Sequence, residues 1–336
     1  MPTMSPSADQ VVQSYVETNQ FIGSVLLARG GEVLLSKGYG FANIEWKIPN
    51  TPTTRFRIAS LTKQFTAACI LLLSERGQID LGHVVKRYLP DAPATWDKIT
   101  ILHLLTHTSG IANYTGLPEF AKLMPFAITP QEILGLVRDR PTDFEAGERF
   151  SYSNSGYVLL GHLIEKISGR RYGEFVQENI FTPLGMTDSG YDSNEAIIER
   201  RAAGYSLGAT GFANADYIHM SVPHAAGSLY STTEGLFKWQ TGLYGGRLLT
   251  AASLERMTTP FKDDHAFGLM VRNLDGLRHL WCVGGINGFA GSMAWYPDSK
   301  VVVVVLANLS GWGTESIYPQ LALAGHGRSL QLASPK

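Results

Sequence analysis

The chain has 336 residues, of which 44% are hydrophobic and 17% charged, with a formal net charge of −1. This is a globular composition, long enough for one or two domains, and it excludes a disordered chain. A near-neutral balance with no long basic run excludes nucleic acid as an expected partner, and the longest aliphatic stretch, Val301 to Ala307, is too short to span a bilayer.

Met1 to Gln10 carry neither a basic n-region nor an apolar h-region. For the sequence as it stands the expectation is a cytoplasmic protein, or a periplasmic one if a leader has been trimmed. Gln10 to Asn19 is patterned as an amphipathic helix. Phe21 to Arg29 and Glu32 to Gly38 read as strands of a hairpin turning at Gly30-Gly31. Phe41 to Ile58 is irregular, and an apolar helix then runs from Ser60 to about Gly77.

Helical patterns dominate from Leu81 to Val222: Ile101 to Leu105, Pro130 to Arg138, Tyr157 to Ile167 and Tyr172 to Ile180, with Gly169 placed as a helix-ending glycine. Thr232 to Tyr244 is one more helix. Strands follow at Ala266 to Val271, Leu277 to Val283, Gly291 to Tyr296 and Val301 to Ala307, joined by turn signals at Asp275-Gly276 and Pro297 to Lys300. Short turns between consecutive strands imply an antiparallel sheet. The expected fold class is therefore α/β (α+β), a mainly antiparallel sheet flanked by helices. Residues 1–80 and 223–336 would form the sheet domain, and 81–222 an inserted, mostly helical one.

Ser60-Leu61-Thr62-Lys63 carries the chemistry. Residues three apart share a helix face, so Lys63 is placed to take the Ser60 hydroxyl proton. An isolated S-x-x-K is more often a capping serine and a solvated lysine. Here Phe65, Ala67, Ala68 and Ile70 to Leu73 follow at once, so the helix is apolar nearly all round and belongs in a core. The helix dipole and partial desolvation are expected to lower the lysine pKa.

Two further segments could complete a site. In Tyr152-Ser153-Asn154, a phenol can relay a proton and an amide can bind substrate or the lysine; Ser153 or Asn154 as a helix N-cap is the bland alternative. In Cys282-Val283-Gly284-Gly285, a strand ends in glycines that admit close approach, and a free amide there could join that of Ser60 in binding an oxyanion. A simple bulge reads equally well. His103 and His107 have ligand-like spacing without a third ligand, and structural histidines are the better reading. Cys69 and Cys282 do not suggest a disulfide framework.

Together these segments resemble the serine β-lactamase-like superfamily, which includes class C β-lactamases, DD-peptidases and family VIII esterases. Leu104 to Gly110 (LLTHTSG), Pro183 to Met186 (PLGM) and Gly285 to Phe289 are similar to further landmarks in the same order. The resemblance spans roughly residues 10 to 310 and implies a β-lactamase/transpeptidase-like fold with the site between its two parts. It implies Ser60 as nucleophile, Lys63 as general base aided by Tyr152, and Tyr152 as proton donor to the leaving group. Asn154 would orient substrate, and the Ser60 and Gly285 amides would form the oxyanion hole. One departure stands out: Cys282-Val283-Gly284 occupies the place of the family's K-T-G or H-x-G motif, without its cation.

The expected activity is hydrolysis of small acyl esters through a Ser60 acyl-enzyme, of the family VIII carboxylesterase type, needing no metal or organic cofactor. The alternatives are a DD-peptidase, D-aminopeptidase or weak β-lactamase, and, in another class, a non-catalytic ligand-binding or penicillin-sensing protein. The expected partner is a small-molecule ester or amide. Tyr114 to Phe126 and Gly204 to His224 read either as loops packed on their own aromatics or as apolar pocket walls.

Overall fold

The structure, a computed structural model, describes residues 7–311 and 313–330. Met1 to Pro6, on which part of the leader reading rests, lie outside the described residues. Six strands form the main sheet: β1 (Gly23–Arg29), β2 (Glu32–Tyr39), β3 (Met270–Leu274), β4 (Leu277–Ile286), β5 (Phe289–Tyr296) and β6 (Val301–Ala307), in the order β3-β4-β5-β6-β1-β2. Every neighbouring pair is antiparallel, so the N-terminal hairpin docks through β1 onto the C-terminal meander through β6.

β6 shows why this sheet reads as a continuous apolar run. All its residues are buried. Successive side chains on a strand point to opposite faces; Val302, Val304 and Leu306 enter one core, and Val301, Val303, Val305 and Ala307 another. Helices α1 (Ala8–Glu17) and α6 (Gly313–Gly325) pack on the second face, and α2 (Thr62–Glu75) and α5 (Thr233–Tyr244) contribute to the first core. A strand covered on both faces has no polar side to display, and each fully buried Val or Leu contributes about 1.5–3 kcal/mol.

The regular elements of residues 81–222 are mainly helices, the longest being α3 (Pro130–Arg138) and α4 (Asn154–Ser168), together with short strands. Thr129 caps α3 in a capping box, and Gly169 ends α4 in the left-handed region at φ 69°. Several boundaries move. The strand expected over Ala266 to Val271 begins only at Met270, while Ala266 to Leu269 form an irregular wall of the cleft. Tyr172 to Ile180 is a short α-helix that widens into a π-helical turn over Gln177–Phe181. The Phe41 to Ile58 stretch contains short strands, Phe56–Arg57 among them, and 205–214 forms a hairpin. Helix α6 has no counterpart in the sequence reading.

Candidate active site

The chain enters the site through Phe56–Arg57, makes a 3-10 turn over Ala59–Leu61 and then begins α2. Ala59 has φ 48°, a left-handed conformation that costs a non-glycine residue about 1–2 kcal/mol. Neighbouring hydrogen bonds hold it there: the Ile58 amide donates to Leu229 O at 3.0 Å, and the Leu229 amide to Thr62 Oγ1 at 3.2 Å. Every α2 residue from Thr62 to Leu73 is buried. The first helical turn thus carries Lys63 into the interior while Ser60, one turn earlier, stays half-exposed.

Lys63 is 2% exposed, and its Nζ donates to Ala226 O at 2.8 Å, Asn154 Oδ1 at 2.9 Å and Ser60 Oγ at 3.1 Å. Burial pulls its pKa from the ordinary lysine value down to about 7; of the two causes expected from the sequence, desolvation is the leading one. An ammonium uses all three donors on these partners. A neutral amine has two N–H groups and a lone pair. It can keep Asn154 and Ala226 as acceptors and turn the lone pair toward the serine hydroxyl.

On the other side, Tyr152 Oη donates to Ser60 Oγ at 2.8 Å. Burial of the surrounding site pushes the phenol up to about 12, so it is protonated at neutral pH. Its ring packs tilted against His107, with centroids 4.5 Å apart, and lies 4.8 Å from Lys63 Nζ. His107 Nδ1 accepts the Ser153 amide at 3.1 Å, and burial holds its imidazole well below the usual histidine range. His107 thereby pins the Tyr152 segment, whereas His103 Nδ1 accepts the Thr100 amide in a helix cap. Neither histidine faces a ligand set, and among the described residues no cluster of three or more His, Cys, Asp or Glu could hold a metal ion.

Ser153, not Asn154, is the N-cap of α4; its Oγ accepts the Gly156 amide at 3.3 Å. Asn154 is the first helical residue, and its amide is oriented by Thr115 Oγ1 at 3.3 Å from Nδ2, which leaves Oδ1 to Lys63. The third segment arrives on β4. A Cβ added at Gly284 would lie 2.6 Å from Ile58 O and 2.8 Å from the Ser60 nitrogen, so only glycine lets this strand sit against the serine turn. At Gly285 the same construction meets nothing within 4 Å: it is exposed and opens onto the cleft. Cys282 Sγ accepts from Gln64 Nε2 at 3.0 Å, and Gln64 Oε1 from Trp239 Nε1 at 3.0 Å. Burial pushes the thiol up to about 12, so a neutral group stands where the related motif has its cation.

Two cavities meet at Ser60 and Gly285. The larger, about 530 Å³, is lined by Lys63, Tyr152, Leu269, Met270, Cys282 and Glu315 among others. The smaller, about 240 Å³, is lined by Tyr114, Thr115, Phe120, Asn154, Ile218 and Ile286 among others. Tyr114 and Phe120 fall where the sequence allowed a wall, whereas Phe126 and Tyr217 are exposed surface residues. The structure thus gathers Ser60, Lys63, Tyr152, Asn154, Cys282, Gly284 and Gly285 at one place. Sequence reasoning missed His107 as a packing partner of Tyr152, the Ala226 carbonyl, and the larger cavity's wall at Leu269, Met270 and Glu315. A carbonyl leaves no residue signature, and nothing local sets Glu315 apart from a surface glutamate.

The Beta-lactamase family model matches residues 8–326. Penicillin-binding protein 4* of Bacillus subtilis (strain 168) is 31% identical over 315 residues, covering 87% of this chain and 69% of that protein. Among solved structures, a penicillin-binding protein from Bacillus halodurans superposes with a TM-score of 0.83 at 30% identity, covering 91% of this chain and 97% of its own. The D-amino acid amidase from Ochrobactrum anthropi SV3 superposes with a TM-score of 0.85 at 26% identity, covering 95% and 98%. A match that runs through nearly the whole chain establishes membership: this protein belongs to the β-lactamase family and is a serine hydrolase.

Proposed function

We propose that the protein hydrolyses small acyl esters, as a family VIII-type carboxylesterase, with Ser60 as nucleophile. In its neutral form Lys63 takes the Ser60 proton as Oγ attacks the carbonyl carbon. The amides of Ser60 and Gly285 receive the developing oxyanion. As the ester C–O bond breaks, Tyr152 gives its proton to the leaving alkoxide and is reprotonated from Lys63. Water then repeats the sequence on the acyl-enzyme, releasing the acid. The chain is read as two lobes, residues 1–80 with 223–336 and residues 81–222. The first supplies Ser60, Lys63 and the β4 glycines, and the second Tyr152 and Asn154.

The observation that carries the ester reading is the buried, neutral Cys282 thiol in the larger cavity. A β-lactam or a D-Ala-D-Ala peptide presents a carboxylate, and no cation at this position is available to it. Amide cleavage is the second reading, supported by the TM-score of 0.85 to a D-amino acid amidase. Labelling with a fluorophosphonate, followed by mass spectrometry, tests the nucleophile. The expected adduct is on Ser60, with p-nitrophenyl butyrate turnover abolished in Ser60→Ala. Full activity in that variant overturns the mechanism, and failure of any acylating probe to modify Ser60 favours a non-catalytic binding role. Nitrocefin turnover faster than ester turnover would reverse the ranking of substrates.

A further inference from the structure

The two cavities are chemically unlike, and the proton donor tells them apart. Tyr152, which donates to Ser60 Oγ, lines the larger cavity and not the smaller; Asn154 lines the smaller and not the larger. A general acid must reach the oxygen it protonates. The departing alcohol therefore occupies the larger cavity, and the acyl group the smaller.

Among the described residues, the larger cavity is lined by one carboxylate and no fixed cation. Lys63 acts in its neutral form, burial pushes the imidazoles of His107 and His265 below the ordinary histidine value, and Cys282 is a neutral thiol. Glu315 is half-buried in the first turn of α6 and has no hydrogen bond or ion pair among the described residues. The nearest cation acting on it, Arg272, is bound to Asp264 Oδ2 at 2.8 Å and stacked 4.4 Å over Trp281. Arg272 is thus bonded to another carboxylate and reaches Glu315 only through space, which leaves Glu315 without a direct partner. A first-turn glutamate complements the helix dipole, but that role does not require it to line a substrate cavity.

We infer that the leaving group of the preferred substrate carries a positive charge, as in an ester of an amino alcohol or of a quaternary ammonium alcohol, and that Glu315 is the residue that selects it. The inference rests on the ester-hydrolase reading above. The carboxylate attracts an ammonium and repels a carboxylate on the same side of the scissile bond, so one residue supplies both attraction and exclusion. No new chemistry is involved: the ester C–O bond breaks, the alcohol leaves with the Tyr152 proton, and the acyl group stays on Ser60 until water removes it.

The test compares kcat/KM for acetylcholine, its uncharged isostere 3,3-dimethylbutyl acetate, and 4-acetoxybutanoate, by acetate release, in wild type, Glu315→Gln and Glu315→Lys. Circular dichroism checks that each variant is folded. Expected in wild type is the order cationic, neutral, anionic. In Glu315→Gln the cationic-to-neutral ratio falls about tenfold, and in Glu315→Lys the anionic ester overtakes the cationic one. Choline should inhibit p-nitrophenyl acetate hydrolysis, with Ki rising about tenfold in Glu315→Gln. An unchanged ratio in Glu315→Gln assigns the residue to the helix dipole alone and overturns the inference. So does a wild-type preference for the neutral ester. So does a Glu315→Gln effect confined to glycine p-nitrophenyl ester, whose charge lies on the acyl side. Failure of the underlying reading looks different: none of the acetates is cleaved by wild type, and both conclusions then fall.

Discussion

In the proposed mechanism Lys63 takes a proton from serine and must first be neutral, a form that burial favours. With a pKa of about 7, the amine is protonated below neutrality and free above it, so kcat/KM should rise with pH through an acid limb near 7. A pH profile with a small ester from pH 5 to 9 checks this; a flat profile across that limb contradicts it. Lys63→Arg should lose at least about a thousandfold in kcat, because a guanidinium remains charged. At this scale the S-x-x-K motif was legible because both partners lie within one helical turn. The downward direction of the shift was legible too, and so was desolvation as one of its causes, though not how complete the burial is. Glu315 was not legible, because the cavity it lines is assembled from several separate segments, Ser60 and Lys63 among the most distant in sequence.

Elements place the groups that residues cannot place alone. Strand β4 runs into the serine turn, and the two adjacent glycines on it do different work. Gly284→Ala would drive a Cβ to 2.6 Å from Ile58 O and 2.8 Å from the Ser60 nitrogen, whereas Gly285→Ala has nothing within 4 Å of its new methyl. The expected result is a loss of about 10²-fold or more in kcat for Gly284→Ala, comparable to loss of an oxyanion donor. Gly285→Ala should stay within a few-fold, as steady-state kinetics on the two variants will show. The reverse order would contradict this account of the strand. The glycine cluster was visible in the sequence, but which glycine packs and which opens was not. Strand β6 was legible to the residue because its two-sided burial leaves an unbroken valine run. Helix α6 was hidden by Gly313, Pro319 and Gly325, residues that signal a break. It forms because Ile317, Tyr318, Leu321 and Ala322 are buried against the sheet, and tertiary packing overrides local propensity.

Across the whole molecule, the approach to Ser60 is anchored through a buried carboxylate. Asp192 is 1% exposed and accepts from Arg57 Nε at 2.7 Å and from Arg201 Nη1, while its amide donates to Ser228 O at 2.8 Å. Arg57 lies three residues before the serine, so removing Asp192 takes the carboxylate partner from a cation next to the active-site turn and from Arg201, which keeps only Ser193 O. Asp192→Ala should lower the unfolding free energy by about 3–5 kcal/mol, measured by urea denaturation; a loss below about 1 kcal/mol would show that the arginines find other partners. The sequence by itself determined the reaction type, the antiparallel sheet built from both chain ends, and the nucleophile, base and phenol as candidates. Local periodicity and short spacings encode those directly. Only the tertiary structure decided that Lys63 is buried deeply enough for its pKa to fall to about 7, that the Cys282 thiol is held neutral by burial, and that Glu315 lines the larger cavity. Desolvation and cavity charge are sums over residues distant in the chain, and no local pattern contains them.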